Sequence, residues 1–216
     1  MMDKQEIMYC FDPLCGWCYG FSPVIRKLEE QFEDKISFNA YAGGMVTGER
    51  VAPIGDTFTY IKDALQTVEQ RTGVKFGEGF KALLKEGSYR YNSEPPSQAL
   101  VVFKSVTQAS SIELAHLLQK AIFYEGISLN EPKNLADIVA EAGLDAEAFE
   151  QLYQQPKYRD KTYEEFAFVQ KLGVSGFPTL LYRKDRQLYA LSRGYQAYEI
   201  LEETISQLLE EDQASA

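Results

Sequence analysis

Two cysteines three residues apart stand where a strand gives way to a helix, close to the N-terminus. The apolar run 7–11 predicts a short buried strand, which the following Asp-Pro dipeptide ends. From about Gly16 onwards, apolar residues recur at helical spacing. Cys15 and Cys18 therefore lie in the first turn of a helix, where a disulfide between them can form and open without unfolding that helix.

This position suits a redox-active dithiol. A thiol at a helix N-terminus faces unpaired backbone N–H groups and the positive end of the helix dipole, and both favour the reactive thiolate. Cys15 is the predicted nucleophile, and Cys18 is predicted to resolve the mixed disulfide. Gly16 and Trp17 are predicted to set access to the sulfurs, with Trp17 either a substrate contact or a packing residue. The alternative is a pair of inert helix cysteines. Asp12 is interpreted as a cap of the turn, with a position near the thiols as the alternative.

The composition narrows the class of protein. A chain of 216 residues with 45% hydrophobic residues can bury a full core, as one domain or as one domain with an insertion. The net charge of −10 without a basic cluster argues against nucleic acid and anionic membranes as partners. No basic leader and no apolar run of about 20 residues is seen, so we expect a cytoplasmic protein. In a reducing compartment a close cysteine pair is typical of catalysis or metal binding.

The order of the predicted elements is that of a thioredoxin fold. A second strand is predicted over residues 36–41, and residues 55–158 contain helical patterns only. The helices are predicted over residues 57–70, 76–86, 95–106, 110–126, 132–143 and 145–155. A helix over 162–172, strands over 179–182 and 188–191 with a turn at 184–186, and a helix over 198–210 follow, before a frayed tail. We therefore predict an α/β thioredoxin fold, residues 1–54 and 159–216, with an all-helical insertion subdomain, residues 55–158.

A second motif adds a family resemblance. Gly176-Phe177-Pro178-Thr179 precedes the third strand, and with the Cys-Gly-Trp-Cys motif and the helical insertion it resembles the DsbA-like branch of the thioredoxin superfamily over nearly the whole chain. The resemblance implies a cis Pro178 against the cysteines and a Phe177 backbone able to pair with an extended substrate peptide. The periplasmic oxidants of this family usually carry a His between the two cysteines. Cys-Gly-Trp-Cys looks more like the cytoplasmic, FrnE-like members, and the direction of the reaction stays open.

The third cysteine and the single histidine raise two metal hypotheses. Cys10, Cys15 and Cys18 match the spacing of plant-type iron–sulfur ligands, but that site needs a fourth cysteine. Zinc on these three and His116 has the right ligand count, although His116 is expected on a solvated helix face. We therefore predict no metal and no cofactor, with Cys10 a small buried hydrophobe.

The predicted function is that of a protein-disulfide oxidoreductase or isomerase. Its substrates would be protein or peptide thiols and disulfides, with glutathione or thioredoxin as a redox partner. A non-catalytic DsbA-like adaptor that binds a client protein is one alternative. Glutathione-dependent isomerases and kappa-type transferases resemble the same layout, but they typically carry Ser in place of the nucleophilic cysteine.

Overall fold

The computed structural model describes residues 5–185 and 187–214 and contains a four-stranded mixed sheet in the order β2–β1–β5–β6. Central strand β1 is parallel to β2 and antiparallel to β5, which is antiparallel to β6. The strands are β1 (Gln5–Phe11), β2 (Ser37–Ala42), β5 (Thr179–Lys184) and β6 (Gln187–Arg193), and a separate two-stranded ladder joins β3 (Ala52–Pro53) to β4 (Arg90–Tyr91). This architecture confirms the predicted thioredoxin fold with a helical insertion.

Nine α-helices are present among the described residues. In chain order they are α1 (Gly16–Phe32), α2 (Phe58–Thr72), α3 (Glu78–Glu86), α4 (Glu94–Val106), α5 (Ser111–Lys120), α6 (Pro132–Glu141), α7 (Ala146–Tyr153), α8 (Pro156–Lys171) and α9 (Tyr198–Ala214). Within the part of the chain that the structure describes, none of these helices is long and apolar enough to span a membrane.

Strand β1 is buried on both faces of the sheet. Its odd-numbered residues Ile7, Tyr9 and Phe11 belong to the large core that also holds the buried face of α1. Its even-numbered residues Met8 and Cys10 belong to a smaller cluster under α8. Because side chains alternate across a strand, neighbouring residues of β1 enter different environments.

The predicted helix periodicity is confirmed for α1. The side chains buried at helical spacing include Phe21, Ile25, Leu28 and Phe32, while Pro23 is exposed. The helix contacts α2, α5 and α9, so it lies between the sheet and the insertion. Its first turn is thereby held at the end of β1.

The insertion differs from the prediction in its details. The helix predicted over 110–126 is α-helical only to Lys120 and continues as a π-helical turn, Ala121–Glu125. Gly77 and Gly79 lie against this turn, where an added Cβ would come within 1.9 Å of the Tyr124 carbonyl oxygen and 2.0 Å of the Glu125 carbonyl oxygen, respectively. These glycines permit close backbone contact.

Three other expectations need correction. The insertion is not wholly helical, because the short strand β4 lies within it, and two-residue strands carry no alternating pattern to detect. Helix α8 begins at Pro156, before the predicted start at Thr162. The predicted boundary at residues 158/159 therefore falls inside this helix. The division of the chain into two parts stays a prediction. Helix α9 continues to Ala214, where a frayed tail was expected. Residue 186 of the predicted turn and residues 1–4 and 215–216 lie outside the described residues.

Candidate active site

Cys15 is the residue that immediately precedes α1. Its backbone is extended, with φ −89° and ψ 113°, and its Sγ accepts a hydrogen bond from the Cys18 N–H at 3.4 Å. This bond satisfies one of the free N–H groups of the first helical turn. The Cys15 thiol also lies 3.6 Å from the Phe177 carbonyl oxygen, to which it donates a hydrogen bond. The structure thus brings together the two predicted motifs, which are far apart in the chain.

Cys18 lies behind Cys15 and is inaccessible. Its side chain is 0% exposed, against 6% for Cys15. Burial raises the pKa of the Cys18 thiol well above its ordinary value, and its contacts with Cys15 act in the same direction. Tyr9 donates a hydrogen bond from its hydroxyl to the Cys18 carbonyl oxygen at 3.3 Å. The Cys15 thiol is therefore the more accessible of the two.

A cavity of about 300 Å³ opens beside Cys15. Gly16 and Trp17 line it from α1. The insertion contributes apolar side chains that include Leu65, Val68, Tyr91 and Phe123, and the segment after β2 contributes much of the remaining wall, Arg50 included. Trp17 is half-buried, with its ring centroid 6.5 Å from that of Tyr195. A Cβ added to Gly16 would meet the Phe76 ring at 3.6 Å, an ordinary contact. The insertion therefore builds one side of the site.

The loop before β5 forms the opposite side. The Phe177–Pro178 peptide bond is cis, and the Pro178 carbonyl accepts a hydrogen bond from the Gly194 N–H at 2.7 Å. The Phe177 ring lies so close to Gly43 that an added Cβ there would come within 1.9 Å of the ring. A second cavity of about 580 Å³ lies between this loop and α8 and includes Phe177 in its wall. Phe177 thus contacts Cys15 through its carbonyl oxygen and also lines this second cavity.

Asp12 is a buried carboxylate that caps the turn before α1, as interpreted, because its side chain accepts the Leu14 N–H. The N-terminus of α1 is capped by Cys15 itself. The Asp12 carboxylate is 0% exposed and accepts hydrogen bonds from the backbone N–H of Leu14 at 2.9 Å and of Met45 at 2.6 Å, and from the Ser93 hydroxyl at 2.9 Å. Burial raises the pKa of Asp12 to about 6, although the backbone hydrogen bonds oppose this. Asp12 is therefore an ionisable group that titrates near neutral pH beside the cysteines.

Cys10 and His116 lie away from the two catalytic candidates. Cys10 is buried in the small cluster with Met8 and Val169, and burial raises the pKa of its thiol to about 12. His116 was expected on a solvated helix face, but it is half-buried. Its Nδ1 lies 2.7 Å from the Ser22 hydroxyl of α1. Among the described residues, no three His, Cys, Asp or Glu side chains gather closely enough to hold a metal ion.

Comparison with solved structures finds the same fold in proteins of different activities. A candidate protein disulfide isomerase from Nitrosomonas europaea is 21% identical to this chain, with a TM-score of 0.83 and coverage of 96% of this chain and 98% of that one. The cytosolic disulfide reductase DsbM from Pseudomonas aeruginosa is 27% identical, with a TM-score of 0.80 and coverage of 94% and 98%. A 2-hydroxychromene-2-carboxylate isomerase is 16% identical, with a TM-score of 0.64 and coverage of 98% and 99%.

Sequence comparisons give a family assignment. A search of the curated proteins finds no match. The DSBA-like thioredoxin domain, in contrast, matches residues 6–206, which is nearly the whole chain and includes both motifs of the site. The chain therefore belongs to the family of DSBA-like thioredoxin domains.

Proposed function

We propose that this protein is a thiol–disulfide oxidoreductase that works through Cys15 and Cys18. The observation that carries the proposal is the position of the Cys15 sulfur, which contacts the Cys18 N–H and the Phe177 carbonyl and faces a cavity. The likeness to DsbM, a cytosolic disulfide reductase, supports reduction as the direction and the cytoplasm as the location. The substrates would be disulfides of peptides or proteins.

The reaction would take two exchange steps. The Cys15 thiolate attacks one sulfur of the substrate disulfide, which forms a mixed disulfide with Cys15 and releases the first substrate thiolate. The Cys18 thiolate then attacks the Cys15 sulfur, which releases the second thiolate and leaves a Cys15–Cys18 disulfide. Two electrons pass from the cysteine pair to the substrate.

The second step requires Cys18 to lose a proton in a buried site. Burial raises the pKa of this thiol, so a nearby base is needed. Asp12 is the proposed proton acceptor, because its carboxylate is buried near Cys18 and its pKa lies at about 6. At neutral pH Asp12 is ionised and able to take the proton.

The loop at Phe177 would orient an extended substrate. A peptide strand placed along this loop can exchange main-chain hydrogen bonds with Phe177, as in strand addition to a sheet. Pro178 fixes the direction of the loop toward Cys15, while Trp17 would contact the substrate from the wall of the cavity. Gly16 would leave the approach to the sulfur open.

Glutathione is the proposed reductant that regenerates the thiols. DsbM has been crystallised with GSH, at 28% identity to this chain and a TM-score of 0.76. One glutathione thiolate would attack the Cys15–Cys18 disulfide at Cys15, and a second would release oxidised glutathione, which restores both thiols. These two steps return the two electrons spent on the substrate.

Two variants test the assignment in a turnover assay with a peptide that contains one disulfide and with glutathione as reductant. Cys15→Ala is expected to lower turnover by about a thousandfold or more, because it removes the nucleophile. Cys18→Ala is expected to accumulate a mixed disulfide at Cys15, seen as a mass increase that dithiothreitol reverses.

Retained turnover in Cys15→Ala would contradict the assignment. An inactive wild-type protein whose cellular role survives the Cys15→Ser, Cys18→Ser double substitution would favour the adaptor that binds a client protein. Cys10→Ala serves as the matched control, since it removes the third thiol from the other face of β1.

A further inference from the structure

The cleft around Cys15 differs in charge from the rest of the chain. The protein carries a net charge of −10. Nevertheless, the described side chains that line the two cavities beside Cys15 and Phe177 include no Asp or Glu, and Arg50 lines both. By contrast, a groove along α1 is lined by four glutamates: Glu29, Glu30, Glu33 and Glu113. The walls of these two cavities are therefore positive in an acidic protein; the Asp12 carboxylate, which interacts electrostatically with Arg50, is buried and lines neither cavity.

Among the described residues, the Arg50 guanidinium donates a single hydrogen bond. Its side chain is exposed, and one Nη donates a hydrogen bond to the Gly44 carbonyl oxygen at 3.2 Å, which holds the guanidinium at the junction of the two cavities. No carboxylate of a described residue forms an ion pair with it, in contrast to Arg26, Arg159 and Arg183. A guanidinium carries five N–H groups in a fork that matches a carboxylate.

The burial of Cys15 limits the size of what can reach it. Only 6% of the residue is exposed, so an attacked sulfur must enter through the cavity of about 300 Å³ that Cys15 lines. Volumes of this order accept ligands the size of a short peptide. The cavity nearer the sulfur has a mostly apolar wall, so a charged end of the ligand is favoured only near Arg50.

We infer that Arg50 is a specificity-determining residue: it binds a carboxylate of a small disulfide while Cys15 attacks the sulfur, so the site selects carboxylate-bearing disulfides of short-peptide size. This inference rests on the proposed thiol–disulfide exchange and adds no chemical step to it. The guanidinium would act by binding, through charge-assisted hydrogen bonds. Its effect would therefore appear mainly in KM.

The test compares two disulfides of nearly equal size, oxidised glutathione and the disulfide of glutathione diethyl ester, in which all the carboxylates are blocked. Because glutathione cannot serve as the reductant of its own disulfide, the protein is reduced beforehand, and its oxidation in a single turnover is followed at increasing disulfide concentration. The measured quantity is the ratio of kcat/KM for the acid to kcat/KM for the ester, with kcat the limiting rate and KM the half-saturating concentration. Four proteins are compared: the wild type, Arg50→Met, Arg50→Lys and Arg193→Met. Arg193 is the control because it lines a cavity on the other side of Phe177 and gives the same change in net charge.

The wild type is expected to prefer the acid, and Arg50→Met is expected to lower the ratio about tenfold, mainly through KM. Arg50→Lys should restore part of the preference, while Arg193→Met should leave the ratio within about twofold. A ratio unchanged in Arg50→Met, or a loss found in Arg193→Met instead, would overturn the role of Arg50 but leave the oxidoreductase intact. A wild type inactive on both disulfides would overturn the proposed function and this inference with it.

Discussion

Two regions, one under α8 and one at the end of β1, each enclose cysteine and carboxylate side chains, but the surroundings of these side chains differ. Under α8, Cys10 is enclosed by apolar side chains, and the buried carboxylates nearby are paired with cations, Glu6 with Arg183 and Glu165 with Lys104. At the end of β1, Cys15 faces a cavity. There Asp12 has no ion-pair partner among the described residues, and it is bound by two backbone N–H groups and a hydroxyl.

This difference predicts an unreactive thiol at Cys10 and a reactive site at the end of the same strand. Apolar enclosure raises the pKa of Cys10 to about 12, so this thiol stays protonated and unreactive at neutral pH. At the site, the hydrogen bonds that the Asp12 carboxylate accepts from neutral donors only partly offset the effect of burial. The pKa of Asp12 is therefore about 6. A carboxyl group with this pKa can hold and release a proton during exchange.

Of the substitutions that test this comparison, Asp12→Asn is expected to have the largest effect. Because the pKa of Asp12 is 3.8 ordinarily and about 6 in the folded protein, the folded protein holds a proton in that pH range that the unfolded chain has lost. Wild-type stability should therefore fall as the pH rises from about 4 to about 6, by about 3 kcal/mol relative to Asp12→Asn. Urea unfolding of both proteins at several pH values measures this difference.

If the free energies of unfolding of the two proteins changed in parallel with pH, the account of Asp12 as a buried, titrating carboxylate would be contradicted. The same variant also tests the proton acceptor. If Asp12 takes the proton of Cys18, Asp12→Asn should accumulate the mixed disulfide at Cys15 during turnover, as Cys18→Ala does. A variant with wild-type turnover would remove Asp12 from the exchange.

A smaller effect is expected on the other face of β1. Cys10→Ala removes one buried sulfur atom and should lower the free energy of unfolding by about 1 kcal/mol, because it leaves a small cavity beside Met8 and Val169. Turnover should stay at the wild-type level. Denaturant unfolding and the peptide disulfide assay measure the two quantities. A loss of turnover without a loss of folding would show that Cys10 takes part in the exchange.

Local patterns were sufficient to predict much of the fold. The apolar strand around Cys10, the helix that follows Cys15 and the capped start at Ser110 depend on neighbours within one or two turns. The Glu113 N–H donates a hydrogen bond to the Ser110 hydroxyl oxygen at 3.0 Å, which caps the helix predicted to begin at residue 110. Helix spacing and caps are properties of short segments, which a single sequence displays directly.

The parts of the site that join distant segments could not be predicted. Asp12 binds Met45 and Ser93, and Arg50 reaches the cavity only because the segment after β2 folds back over it. Nothing near these residues in sequence marks such contacts. Gly77 and Gly79 show the same limit, since their helix is weak by propensity but packs closely on a distant turn. Tertiary contacts, and not local preference, build this side of the site.

The most direct test of the Cys15–Cys18 couple is its equilibrium with glutathione buffers of graded redox potential. Alkylation after acid quenching, read by mass spectrometry, reports which thiols are lost. We expect Cys15 and Cys18 to disappear together in one reversible two-electron step, while Cys10 stays reduced throughout. A midpoint near about −270 mV would match a reductase of the thioredoxin kind. No reversible loss of the pair, or a loss that involves Cys10, would contradict the proposed redox couple.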